Sequence, residues 1–230
     1  MDMKGSIAAI KDAITKSTAE RTSPEVISAA YAVVYLIGGV LLASARLLGA
    51  AGPFGMAAVA ASGAGLNGVA ALIGAAIGYI ISCGLAGSIR YLAAIVLVYT
   101  ICFAFQDTKL ASKSVFAPAT AAVSALSTGI LSSFTSVFTQ APAAAVVLIE
   151  TVFSFGGCWF FREAMSGRER TTESEELRYA GSVLITAAVL LMAVSQIEIF
   201  GAISLGRLVA VLIVMTCTLR CGIMTGCTIG

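Results

Sequence analysis

The chain offers few side chains that could do chemistry, and the most unusual of them is Glu150, an acid in the middle of an apolar run. A charge at the centre of a bilayer costs roughly 2.5–3.5 kcal/mol on insertion scales, so a sequence that keeps one there has a use for it. Two expectations follow. Either Glu150 is protonated or hydrogen-bonded to Ser or Thr on a neighbouring helix and tightens packing, or it faces the bundle interior and pairs with an arginine near a span end. In the second case, losing one partner would strand the other charge in a low dielectric.

The remaining chemistry is sparse. There is no His, which removes the commonest general base and metal ligand. The six cysteines, Cys83, Cys102, Cys158, Cys217, Cys221 and Cys227, lie in apolar segments without a CxxC pair. They read as small hydrophobes rather than as a metal or disulfide site. The aspartates are Asp2, Asp12 and Asp107, too few and too scattered to hold two metals. Glu173, Glu175 and Glu176 follow Thr172, and Thr172-x-x-Glu175 fits a capping box at a helix start, where the dipole favours acids. Metal binding by those acids is the less economical reading. No catalytic, cofactor-binding or metal site is therefore expected. With a net charge of +2 and no basic patch interleaved with aromatics, nucleic acid is excluded as a partner.

The elements that must position Glu150 are set by composition. Apolar residues are 59% of the 230, charged residues 11%, and the mean hydropathy is +0.98. Soluble domains are nearer half apolar and a quarter charged. The charges gather at 2–25, 107–113 and 162–178, with long uncharged stretches between. That is the pattern of spans and loops, and the bilayer is the first partner it implies. Runs of this length without polar alternation predict helices, because within lipid only helices and closed barrels satisfy their own backbone.

The expected fold is all-α, a polytopic transmembrane helical bundle of about eight spans plus a truncated ninth. Residues 1–25 form a cytoplasmic leader, with Ile7, Ile10 and Ile14 at helical spacing as for an amphipathic surface helix, and a solvated leader as the alternative. The transmembrane domain is 26–230, with spans expected near 26–45, 54–62, 66–82, 91–105, 115–134, 142–161, 180–197 and 205–217. The first is taken as uncleaved although Ala43-Ser44-Ala45 has the form of a signal cleavage site. Pro53, after Gly52, interrupts the apolar pattern. Gly74-x-x-x-Gly78 and Gly222-x-x-x-Gly226-x-x-x-Gly230 place small residues where helices can approach closely. The run from Gly222 starts a helix that is cut short, so a truncated chain is expected.

Basic residues give the orientation. The leader, the loop near 107–114 (Lys109, Lys113) and the loop 162–178 (Arg162, Arg168, Arg170, Arg178) should all face the cytoplasm. That parity holds only if 54–62 counts as a crossing. Arg46, Arg90 and Arg207 then fall near the far ends of spans, where long side chains can snorkel.

Several stretches, in this order, resemble the stage II sporulation protein E family of spore-forming Firmicutes. They are Leu41-Leu42-Ala43-Ser44-Ala45-Arg46, Gly52-Pro53-Phe54-Gly55, Ile149-Glu150, Glu175-Glu176, Ile203-Ser204-Leu205-Gly206-Arg207-Leu208 and the run from Gly222. The resemblance covers about 30–230, and its specificity lies in the ordered set. It implies the membrane region of a protein whose cytoplasmic part is a PP2C-type serine phosphatase, so manganese or magnesium would be needed only outside this chain. It further implies a plasma-membrane location at the polar septum, FtsZ and septal division proteins as partners, a homo-oligomer, and a role in sigma-factor activation. Since Glu150, Arg207 and Arg46 match charged positions of that family, the resemblance also makes Arg207 the first and Arg46 the second expected partner of Glu150.

Three functions compete. A membrane anchor and localisation module is favoured. A small-solute transporter or permease is the alternative, because helices interrupted by Gly and Pro are used in transporter sites. An intramembrane enzyme would need a nucleophile with a base, a metal cluster or a carboxylate dyad, and the spans supply none.

Overall fold

The computed structural model describes residues 24–47, 51–134, 144–166 and 172–196, with short stretches between 198 and 215. These residues are helical almost throughout. In chain order the helices are α1 (Pro24–Ser44), α2 (Pro53–Ser62), α3 (Leu66–Phe105), α4 (Phe116–Phe134), α5 (Ala144–Met165) and α6 (Glu173–Ser195). A two-residue antiparallel ribbon follows, β1 (Glu198–Ile199) with β2 (Ile203–Ser204). The expected leader, the Gly222–Gly226 run and most of the eighth span, including Arg207, lie outside the described residues.

Helix α3 is not straight. At Gly84 the backbone takes φ 70°, ψ 168°, a region open essentially to glycine alone. The chain reverses there. Tyr79 stacks on Tyr91 with ring centroids 4.7 Å apart, and Tyr99 lies against Gly68, pairs that a continuous helix would hold about 18 Å and about 46 Å apart. The limbs 66–83 and 85–105 therefore form an antiparallel hairpin, each limb roughly 30 Å long at 1.5 Å per residue.

Backbone approaches set the directions of the rest. Helix α1 runs parallel to the first limb, with Gly74 against the Leu36 carbonyl and Gly78 against that of Val40. A Cβ at Gly74 would stand 2.1 Å from the Leu36 oxygen, so these helices meet backbone to backbone. Helices α4 and α5 are antiparallel, Gly129 facing Val147 and Ser114 accepting a bond from Arg162. One end of the bundle thus gathers Gly63, Gln106, Ala111, Phe116 and Arg162 around a cavity of about 250 Å³. The opposite end gathers Ser44, Ser82 and Gln196.

The packing inverts that of a soluble domain. The interior is Ala, Gly and Ser with a few large groups, Tyr79, Phe161, Met56 and Ile95 among them. Ile73, Ile77, Ile81, Leu85, Val96, Leu131, Val152 and Leu184 face outward. Among the described residues, three helices are long and apolar enough to cross a membrane: Leu66–Ala104, Ala144–Met165 and Glu173–Ser195.

Eight to nine spans are not supported. Helix α2 has ten residues, about 15 Å, and nearly all of it is buried, so it is no span on its own. Helix α4 carries Ser and Thr on its buried face. Two further expectations need correction. Arg162 and Arg178 belong to helices, which shortens the expected 162–178 loop to 166–172. Thr172 is indeed the N-cap of α6, but its side chain makes no capping bond, and its carbonyl accepts from Glu175 and Glu176 instead.

The close approach of α1 to α3 gives a test. Gly74→Ala is expected to destabilise the protein by about 1–3 kcal/mol through overpacking. Gly38→Ala, with nothing within 4 Å of the added Cβ, should be neutral or slightly stabilising. Thermal unfolding in detergent compares the two.

Candidate functional site

Glu150 sits on the inward face of α5, one helical turn before Ser154 and two before Gly157, and is fully buried. Its partner is Arg90, six residues beyond the Gly84 corner on the second limb of α3. The Arg90 Nη2 donates to both carboxylate oxygens, at 2.7 Å to Oε1 and 2.6 Å to Oε2. The Arg90 side chain is only 11% exposed, so the pair is an interior one. Two further donors converge on Oε1: the Tyr91 hydroxyl at 2.6 Å and the Gly52 N–H at 3.3 Å. A carboxylate accepts up to four such bonds, and this set nearly fills it.

The Gly52 contact ties the ion pair to the start of α2. After Ser44 the chain leaves α1, and Leu47 and Ala51 pair through both backbone bonds. It then re-enters the bundle so that α2 begins beside Tyr79 and Tyr91. Pro53 at the first helical position fits, since its missing N–H would have no intrahelical partner. The Tyr79 hydroxyl donates to the Gly52 carbonyl and accepts the Met56 N–H at 3.2 Å, inserting itself into the first turn. The Ser154 hydroxyl donates to the Pro53 carbonyl at 3.3 Å. Gly55 makes room, because a Cβ there would lie 2.6 Å from Tyr79. The positive end of a short helix therefore meets a carboxylate deep in the bundle, the polarity the helix dipole favours.

The aromatic pair completes the cluster. Tyr91 stacks on Tyr79 at 12° between ring planes, and the Arg90 guanidinium lies 4.5 Å from the Tyr91 ring centroid. Arg90 is thus held by a carboxylate and by a ring face at once. Each side chain of the cluster fixes its neighbours, and no group is left to act as a free base or nucleophile. Among the described residues, no three His, Cys, Asp or Glu side chains come together.

The residues singled out from sequence fare differently. Glu150 and Pro53 are brought together. Arg46 is not the partner of Glu150: its Nη2 donates to the Ser82 carbonyl, at the end of the first limb. Arg207, Gly222 and Gly226 lie outside the described residues. Arg90, expected to snorkel at a span end, is the group that neutralises Glu150. Its neighbour Tyr91 offered a clue, since a Tyr in a span needs a polar partner for its hydroxyl. The spacing alone could not say that 90 and 150 would face each other.

Removing one member of a buried pair strands the other, typically at a cost of about 3–5 kcal/mol. Glu150→Gln and Arg90→Gln should each lower the thermal midpoint in detergent strongly, while the double variant loses clearly less than the sum. Arg46→Gln should show no such coupling to Glu150→Gln. Additive losses from the Arg90 and Glu150 changes would remove the pair from the account. No family model, curated protein or solved structure matches this chain.

Proposed function

We propose that this chain is a multi-pass membrane-anchoring and localisation module, holding a septal serine phosphatase of the stage II sporulation protein E type at the plasma membrane. The observation that carries the reading is the inverted packing. Branched aliphatic and aromatic side chains cover the exterior, while the one buried acid among the described residues is closed off inside by Arg90, Tyr91 and Gly52. An exterior of this kind suits hydrocarbon, and a fully engaged interior suits a rigid platform rather than a moving one.

In this reading the described chain crosses seven times: α1, the stretch 45–62 ending in α2, the two limbs of α3, then α4, α5 and α6. The chain re-enters the bundle at Gly52, and the half-helix α2 carries it on from there. The turn that carries Lys109 and Lys113 and the end of α5 that carries Arg162 then share the cytoplasmic side, as their charge favours. The ordered resemblance supplies the rest of the proposal: a phosphatase in the parent protein, FtsZ and septal proteins as partners, and self-association.

A small-solute transporter is the second reading, and one observation favours it. A half-helix aiming its N-terminus at mid-bundle is the device by which secondary transporters hold anionic groups. Against it, that position is filled by the carboxylate of Glu150 itself, and the two cavities described above lie at the bundle ends.

Two measurements test the proposal. In a Cys-free background, Leu110→Cys and Glu169→Cys should label from the cytoplasmic side and Ala86→Cys only from the other. Labelling of positions 110 and 169 from opposite sides would break the crossing order. A fluorescent fusion of the chain should gather at the polar septum of sporulating cells. An even distribution around the cell membrane would remove the localisation role.

A further inference from the structure

Among the described residues Arg46 has no acidic partner, and it lines the larger of the two end cavities. This cavity has a volume of about 390 Å³ and sits where α1, the first limb of α3 and α6 all finish. Such a volume is of ligand size. Its lining is divided. Ser44, Arg46, Ser82 and Gln196 form a polar side, and Val40, Leu41 and Ile81 an apolar one. Ile81 is 72% exposed, so the apolar side opens laterally onto the bundle exterior.

The electrostatics narrow the ligand. Arg46 donates to the Ser82 carbonyl, and the one ion pair among the described residues lies elsewhere, at Arg90 and Glu150. A guanidinium has five N–H donors in a planar fork suited to phosphate. Three helix C-termini converge on the same place, however, and their last carbonyls carry partial negative charge. An anion with no compensating cation would be opposed by those carbonyls. A free phosphate would also leave the apolar side uncovered.

We propose that the cavity holds the headgroup of a membrane glycerophospholipid bearing both a phosphate and a primary amine. The phosphate lies on Arg46 and Gln196, the ammonium group faces the helix-terminal carbonyls, and the first methylenes of an acyl chain run along Val40, Leu41 and Ile81 out to the exterior. The proposal rests on the membrane reading but not on the anchoring role. A lipid held there would fasten α6 to α1 and the α3 hairpin at one end, opposite the end that carries the basic turns.

Native mass spectrometry of the detergent-purified chain tests it, with phosphatidylethanolamine, phosphatidylglycerol and diacylglycerol of matched acyl chains. One phosphatidylethanolamine should be retained in preference to both others. Arg46→Gln should weaken that retention about tenfold, the loss of one charge-assisted contact. Arg162→Gln, at the other end, should leave it unchanged. Ile81→Trp, which fills the apolar side and spares Arg46, should also displace the lipid, and it decides the matter if Arg46→Gln lowers the thermal midpoint. Equal retention of all three lipids, equal retention of phosphatidylglycerol, or full retention by Ile81→Trp would overturn the site. Failure of the chain to enter a bilayer would instead overturn the membrane reading itself.

Discussion

A carboxylate buried among apolar helices must be neutralised where it stands, and the architecture of this bundle follows from how Glu150 meets that demand. Its guanidinium partner comes from the second limb of α3, so that limb must double back alongside the first and reach the depth of Glu150 on α5. The reversal needs a corner, and Gly84, at positive φ, makes it within a single residue. Arg90 reaches both carboxylate oxygens, and the Tyr91 hydroxyl and the Gly52 N–H add two further bonds to Oε1. The Gly52 bond in turn requires the chain after α1 to dip into the bundle and start a helix there. One charge thereby fixes three elements: the hairpin, the half-helix α2 and the inward face of α5.

Small residues let those elements come close enough. Interior positions are mostly Ala, Gly and Ser, so helix axes are set by backbone contact rather than by interlocking large side chains. The large interior groups are concentrated where polarity has to be managed. Tyr79 and Tyr91 each carry a hydroxyl that serves the start of α2 or the carboxylate, and their stacked rings shield the ion pair. The hydroxyls of Thr120, Thr151 and Ser182 return to carbonyls of their own helices, which keeps buried polar atoms satisfied without cross-links. Ser124 is the exception: its hydroxyl is buried and unpartnered. The pairing of Glu150 with Arg90 is the one ion pair among the described residues, and a few neutral bonds between elements, such as Ser154 to Pro53, accompany it.

Much of this was legible in the sequence because long uncharged apolar runs mark out long helices. The ends of α1, α4 and α5 fall within a few residues of the expected spans, and α6 begins at the Thr172 signal, some residues ahead of its expected span. Gly74 and Gly78 do face a neighbouring helix. What the sequence could not supply was adjacency. Arg46, Arg90 and Arg207 all sit near span ends, and nothing in their local spacing tells which helix lies beside α5. The resemblance pointed to Arg207 and Arg46, and Arg90 was set aside as a snorkelling residue. The half-helix poses a related problem: charge parity asks for a crossing near 54–62, and a ten-residue apolar helix is too short to make one by itself.

Glu150 holds the start of α2 in place through the Gly52 N–H, and amide hydrogen exchange reads this directly. In the wild-type protein the amides of Gly52 and Met56, bonded to Glu150 and Tyr79, should be protected to a degree comparable with the middle of α5. In Glu150→Gln that protection should fall at these residues first, while α5 and the two limbs of α3 keep most of theirs. Unchanged protection at Gly52 and Met56 in the variant would contradict the account, because the half-helix would then be held by packing alone.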